Sequence, residues 1–241
     1  FPSVDDPLNI RQGNPFLRPE YVDAVELGLV QYVGIGSLQL TPYYRRTTDV
    51  IRRFQLLGDD GVTTSTFENL ATNDSYGVEF VVSFRTDMVR GSGSIEGFKT
   101  VTDGSNVDSD LENNSFGWGG RLNSTFSIRE GMDLQASVRY RAPMNTEQGS
   151  TGARTFVNLG LRQRFLDDRA SLSIQLRDPF DTGRFESIFD QPRLYQEFSR
   201  SFGGRQLGAT LTYAFGQQDR QRRNSGPEGG GEGFEDVGLD G

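Results

Sequence analysis

The 241-residue sequence contains neither cysteine nor histidine. The first absence rules out disulfides, thiolate metal centres and a cysteine nucleophile. The second removes the commonest general base and transition-metal ligand, and with it the ordinary hydrolase triad. Neither an enzyme nor a cofactor or metal site is therefore expected. Lys99 is the single lysine beside 24 arginines, and the net charge is −8. An acidic chain argues against a nucleic-acid partner, because phosphate contacts need a basic surface. No run approaches the roughly 18 consecutive apolar residues of a membrane helix. Apolar residues make up only 34% of the chain, a thin supply for a soluble core of this length. With Phe at position 1 and no signal-peptide pattern after it, a cut precursor or a longer chain is expected.

What the chain has in quantity is glycine (30), phenylalanine (18) and tyrosine (8), a mixture that favours aromatic-rich strands. Between 132 and 141 every other residue is apolar: Met132, Leu134, Ala136, Val138 and Tyr140 alternate with Asp133, Gln135, Ser137, Arg139 and Arg141. The period returns where Thr155, Val157, Leu159 and Leu161 oppose Arg154, Asn158, Arg162 and Arg164, with Phe156 the exception. Side chains alternate across a strand, so each segment offers one face to oil and one to water. A membrane-spanning barrel strand needs only about 9–11 residues of this kind.

Along the chain, residues 1–19 carry Pro2, Pro7, Pro15 and Pro19 and read as an irregular lead-in. Nine passes follow, at 20–32, 37–55, 62–85 (interrupted near Asn73), 89–101, 115–128, 132–141, 153–165, 170–177 and 194–215. The pair Gly203-Gly204 could split the last. Linkers alternate, short near Gly34, Asp87, Glu130 and Asp167, longer near Asp60, Asn106, Gln148 and Ser187. Outer-membrane barrels have this asymmetry, with short periplasmic turns and longer extracellular loops. The expected architecture is thus all-β: an antiparallel transmembrane β-barrel portion over 20–216, about nine strands of a larger barrel, since single-chain barrels close with even numbers. Residues 217–241, almost without apolar side chains, read as a disordered periplasmic tail.

Two stretches and the chain's last aromatic strand carry a family resemblance. Gly13-Asn14-Pro15-Phe16-Leu17-Arg18-Pro19-Glu20, followed by Val25-Glu26-Leu27-Gly28, resembles the "GNPxLKPE…ELG" segment in the barrel of TonB-dependent outer-membrane receptors. Ser75-Tyr76-Gly77-Val78-Glu79 is similar to that family's "GVE" strand, and Thr212-Tyr213-Ala214-Phe215 to its terminal aromatic strand. The resemblance implies a plugged barrel of about 22 strands, of which residues 9–216 would be the C-terminal part. It implies a location in the bacterial outer membrane, among lipid. It implies import of a siderophore-like chelate or an oligosaccharide, driven by the TonB complex. By the same resemblance, the plug and the N-terminal barrel strands would lie outside this sequence. One departure is the segment that follows the terminal aromatic, Phe215.

The ligand-facing candidates are Arg139, Arg141, Arg154 and Arg177, with Arg162 and Arg164 on the same face, because arginine grips carboxylates with two parallel bonds. The alternative is a lumen whose cations are balanced by acidic residues of a plug or of neighbouring strands. Asp103, Asn106, Asp108 and Asp110 share one loop and offer oxygen ligands, without the spacing of a calcium-binding EF-hand; a solvated loop is the simpler account. Tyr43, Tyr44, Trp118 and Tyr140 fit either ring stacking on a ligand or the aromatic girdle of a barrel, which is the expectation here. Glu26 and Glu79 are assigned to lumen hydrogen bonding, having no glycosidase-like spacing. Arg220, Arg222 and Arg223 are read as part of the tail spacer. Two other readings are a soluble β-sandwich carbohydrate-binding module, which would bury the Leu134 face under a second sheet, and a small standalone outer-membrane barrel.

Overall fold

The computed structural model describes residues 3–6, 8–107, 111–191 and 194–215; the tail at 217–241, Asp108 and Asp110 lie outside the described residues. Within them the chain is all strand, with no helix. In order these are β1 (Ser3–Asp6), β2 (Asn9–Arg11), β3 (Tyr21–Glu26), β4 (Leu29–Val33), β5 (Gly36–Leu57), β6 (Thr63–Arg85), β7 (Val89–Asp103) and β8 (Glu112–Arg129). There follow β9 (Met132–Arg141), β10 (Met144–Thr146), β11 (Gly149–Thr151), β12 (Arg154–Phe165), β13 (Ala170–Arg177), β14 (Arg184–Gln191), β15 (Leu194–Ser201) and β16 (Gln206–Tyr213).

The wall is one antiparallel meander. β3 and β4 pair in succession with β5, and pairing continues through β6, β7, β8, β9, β12, β13 and β16. Counting β3 with β4 as one pass, the wall has the nine passes that the alternation implies. The sheet is open: the outer edges of β3, β4 and β16 have no strand partner among the described residues. Two-residue turns at 34–35 and 130–131 mark one end, and connections of five to twenty-eight residues mark the other.

Three expectations need correction. The lead-in is not wholly irregular, since β1 and β2 form a short hairpin and β2 adds to β6 in parallel. The third pass is not interrupted at Asn73, because β6 runs unbroken for 23 residues. The last pass does break at Gly203 and Gly204, whose φ angles of 97° and 64° suit glycine. Its first half, however, leaves the wall: β15 pairs with β14, and these join β10 and β11 in a separate four-stranded sheet. Local alternation could not separate the two sheets, because each strand of either one alternates in the same way.

Register shows why the strands adopt this arrangement. Phe126, Leu134, Leu161, Ile174 and Ala209 are direct cross-strand neighbours, as are Leu122, Val138 and Val157. The Leu122 row continues through Gly93 and Val82 to Leu38, and the adjacent outward row runs from Leu40 through Phe80, Ile95 and Gly120 to Tyr140. One face of the wall is therefore continuously apolar, and no second layer covers it among the described residues: Leu207 is 74% exposed and Leu211 69%. Tyr44, Tyr76, Trp118 and Tyr140 border this face towards the long loops, with the Trp118 and Tyr140 rings 4.9 Å apart. Phe84, Phe126, Phe165 and Tyr213 border it towards the short turns. From Tyr76 to Phe84 is about 27 Å of strand at ~3.4 Å per residue, which suits the ~25 Å apolar band of an outer-membrane barrel once tilted.

β5 and β6 are 22 and 23 residues long, about twice what a bilayer needs. Their far halves project beyond the wall. At Asp49, where φ is 53°, alternation shifts by one residue, so that Thr47 and Val50 are both buried. Beyond this point Val50, Phe54 and Leu70 pack with Leu111 from the β7–β8 connection into a small core. Hydrophobic burial thus lies in the projecting end, while the wall leaves its apolar side chains outward.

Candidate ligand-facing site

On the opposite face of the wall, one cross-strand row reads Thr41, Glu79, Glu96, Gly119, Arg141 and Arg154. The next row reads Ser94, Arg121, Arg139 and Phe156. Like charges directly opposite one another destabilise a sheet. Here Glu79 faces Glu96, Arg121 faces Arg139 and Arg141 faces Arg154, so this region carries an electrostatic cost that packing alone does not explain. Gly119 separates the acidic and basic halves. These side chains line a cavity of about 480 Å³. No ion pair links its arginines to Glu79 or Glu96 among the described residues; instead Tyr43 donates to Glu96 Oε1 at 2.7 Å. Arg141 lies 5.7 Å over the Phe98 ring and Arg154 4.6 Å over that of Phe185. Such stacking holds a guanidinium plane while leaving its edge N–H groups available for an anion.

Three of the four nominated arginines, Arg139, Arg141 and Arg154, thus meet in one cavity, joined by Arg121. Arg177 shares the face but stands apart, between Asn158 and Gln206. Arg162 is opposite Asp133, and Arg164 pairs with Asp168 at 3.4 Å. Tyr43 leaves the expected girdle: its register puts it on the polar face, with Glu96. Phe156 owes its irregular position to Phe202, whose ring lies 5.8 Å away at the entry to β16. Glu79 lines the arginine cavity, whereas Glu26 pairs with Arg45 at 3.3 Å. In the loop nominated for oxygen ligands, the Asp103 carboxylate accepts from Ser105, which holds it below the usual carboxylate range, and Asn106 donates to the Asn69 carbonyl. No cluster of three metal-ligating side chains occurs among the described residues.

A second cavity, of about 530 Å³, lies towards the long loops. Two cross-strand rows floor it: Arg45, Ser75, Thr100 and Ser115, then Thr47, Asn73, Thr102 and Asn113. Asn73 donates to Thr102 Oγ1 at 2.7 Å, and the Thr100 and Ser115 hydroxyls are 3.0 Å apart. The β10–β11 hairpin roofs it. Asn113 donates to the Asn145 carbonyl on one side, while on the other Gln148 pairs with both backbone groups of Gln55, at 3.1 and 3.2 Å, on the free edge of β5. Between the cavities runs the row Tyr43, Gly77, Phe98 and Gly117. Sequence reading missed this upper site because single Ser, Thr and Asn residues are unremarkable; only register gathers them.

Residues 1–213 match the model of the outer membrane protein beta-barrel family. Comparison with curated proteins and with solved structures found no match.

Proposed function

Because this chain belongs to the outer membrane protein beta-barrel family of the bacterial outer membrane, we propose that it is the C-terminal wall section of a TonB-dependent receptor. In this reading the long loops are extracellular and the polar face lines the lumen. A siderophore-like chelate or an oligosaccharide is captured beneath the loop sheet and imported past a plug, with energy from the TonB complex. The observation that carries the reading is the placement of a roofed polar cavity above an arginine-lined one, on the face of the wall opposite its exposed apolar rows. The Gly13–Glu20 and Ser75–Glu79 motifs support it, since the second lies in this polar-faced wall and the first crosses its projection.

A soluble β-sandwich is disfavoured. Its second sheet should cover the Leu134 face, whereas the four-stranded sheet sits against the other one, where Phe185 meets Arg154. The test is uptake of labelled ferric chelates and oligosaccharides by cells carrying the complete gene, with the TonB complex intact or removed. Uptake of at least one compound should require the complex. Equal uptake in both strains would mean a passive pore, and uptake of none would leave the receptor reading without a cargo.

A further inference from the structure

We infer that the upper cavity is a subsite for a neutral oligosaccharide. This rests on the receptor reading and narrows its ligand class.

The floor comprises two rows of hydroxyl and amide side chains across four strands. Thr102 is 2% exposed, Ser115 4% and Thr47 9%. Burying these groups is costly unless they are hydrogen-bonded. The Asn73–Thr102 and Thr100–Ser115 contacts supply some of the bonds. Each hydroxyl has two acceptor lone pairs and a rotatable donor, and each amide has two donors and an acceptor. The floor therefore mixes donors and acceptors, as a sugar's own hydroxyls do.

Two of its three arginines face carboxylates: Arg52 lies 3.8 Å from Glu147 and Arg45 pairs with Glu26, while the Arg53 Nε is held by the Ser65 hydroxyl at 2.7 Å. An anionic chelate needs surplus positive charge, which is greater in the lower cavity, where four arginines share the lining with two glutamates and none is ion-paired among the described residues. Met144 and Phe189 add apolar patches to the upper lining, suited to the C–H faces of pyranose rings. The volume falls within the ~300–1,000 Å³ typical of small-ligand sites. A neutral, hydroxyl-rich chain with apolar ring faces matches both kinds of lining; a charged iron complex matches neither.

The experiment uses the full-length receptor purified in detergent, titrated calorimetrically with neutral α- and β-linked hexose oligomers, oligogalacturonate and ferric tris-catecholate. At least one neutral oligomer should bind, and Thr100→Val and Asn113→Ala should each weaken it about tenfold, the effect of losing a hydrogen bond to a ligand. Both residues are only partly buried, so either variant keeps the test open if the other misfolds; unchanged heat-modifiable migration verifies the barrel. Binding of the ferric complex or of oligogalacturonate with no neutral oligomer bound overturns the inference, as does wild-type affinity in both variants. TonB-dependent uptake of a ferric chelate without oligosaccharide binding would sink this subsite and spare the receptor reading. Oligosaccharide binding with TonB-independent uptake would do the reverse.

Discussion

The Arg18 guanidinium meets the Asp49 carboxylate at 2.6 Å, tying the segment before β3 to the residue at which β5 changes the direction of its alternation. The surrounding contacts form a strap. Asn14 donates to the Phe67 carbonyl at 2.9 Å; Asn69 accepts from the Arg18 N–H at 2.8 Å and donates to the Arg18 and Asp49 carbonyls at 3.0 and 2.6 Å. Glu20 accepts the Ile51 N–H at 3.0 Å, on the edge of β5 beyond the reach of β3. The Gly13–Glu20 motif is thus a crossing that fixes the projecting hairpin and satisfies backbone groups that would otherwise be unpaired.

This distribution of contacts ranks two substitutions. Arg18→Ala removes a mostly exposed ion pair, whose measured worth is about 0.2–1 kcal/mol. Asn69→Ala removes three hydrogen bonds at ~1 kcal/mol each, so about 2–3 kcal/mol is expected. Hydrogen exchange of the Arg18 and Ile51 amides is the readout: Asn69→Ala should expose both and Arg18→Ala should barely change them. The reverse order would make the ion pair, not the asparagine, the fastening of the strap.

Leu134 stands between Phe126 and Leu161 on the uncovered face, whereas Ser137 stands between Asn123 and Asn158 on the other. Arginine on the lipid face of a barrel costs about 2–4 kcal/mol near the bilayer midplane. Leu134→Arg should therefore lower stability by that amount in a vesicle refolding titration, with Ser137→Arg much milder. Equal losses would contradict the assignment of faces.

The wall was legible in the sequence because lipid and water impose a two-residue period that needs no partner to be seen. The span 132–141 matches β9 and 170–177 matches β13 at both ends. Elements that depend on distant partners were hidden. β15 alternates like a wall strand, yet the breaks at Gly203 and Gly204 send it to β14. The arginine cavity was partly legible, since Arg139, Arg141 and Arg154 share one parity. Nothing local sets Arg121 apart from the other polar residues of its strand, and Thr47, Asn73, Thr102 and Asn113 come from four strands whose alignment no local pattern reveals. Arg177 shows the converse limit: shared parity places a residue on a face, not in a cavity.

In the row between the two cavities, glycines alternate with the aromatics Tyr43 and Phe98. A Cβ at Gly117 would come within 2.5 Å of the tip of the Phe98 ring, whereas one at Gly77 would meet the Gly97 carbonyl at 2.6 Å and Phe98 Cβ at 2.7 Å. A ring can rotate away, but backbone cannot. Overpacking costs about 1–3 kcal/mol, and Gly77→Ala should fall at the upper end with Gly117→Ala at the lower, measured by urea unfolding in vesicles. Adding Phe98→Ala should largely rescue Gly117→Ala but not Gly77→Ala. Equal rescue of both would mean that the ring, not the backbone, limits the space at Gly77.

Asp178 closes the wall end of the β13–β14 connection and predicts an acid-sensitive loop. It is 6% exposed, with a left-handed φ of 46°. Burial pushes its carboxyl up, but hydrogen bonds from the Thr182 and Gly183 N–H groups and the Thr182 hydroxyl, with the nearby Arg205 charge, outweigh that and hold it below the usual range. A carboxylate that is more acidic folded than unfolded contributes stability fully present above its unfolded value of about 3.9 and lost as pH falls through the folded one. Protection of the Thr182 and Gly183 amides, corrected for intrinsic exchange, should therefore hold from pH 7 to 5 and fall below about pH 3.9. In Asp178→Asn the side-chain carbonyl can still accept from Thr182, but the amide NH₂ cannot accept from Gly183. That variant should show reduced Gly183 protection at neutral pH and no further acid-dependent loss. If wild type and variant lose protection in parallel on acidification, another carboxylate governs the loop.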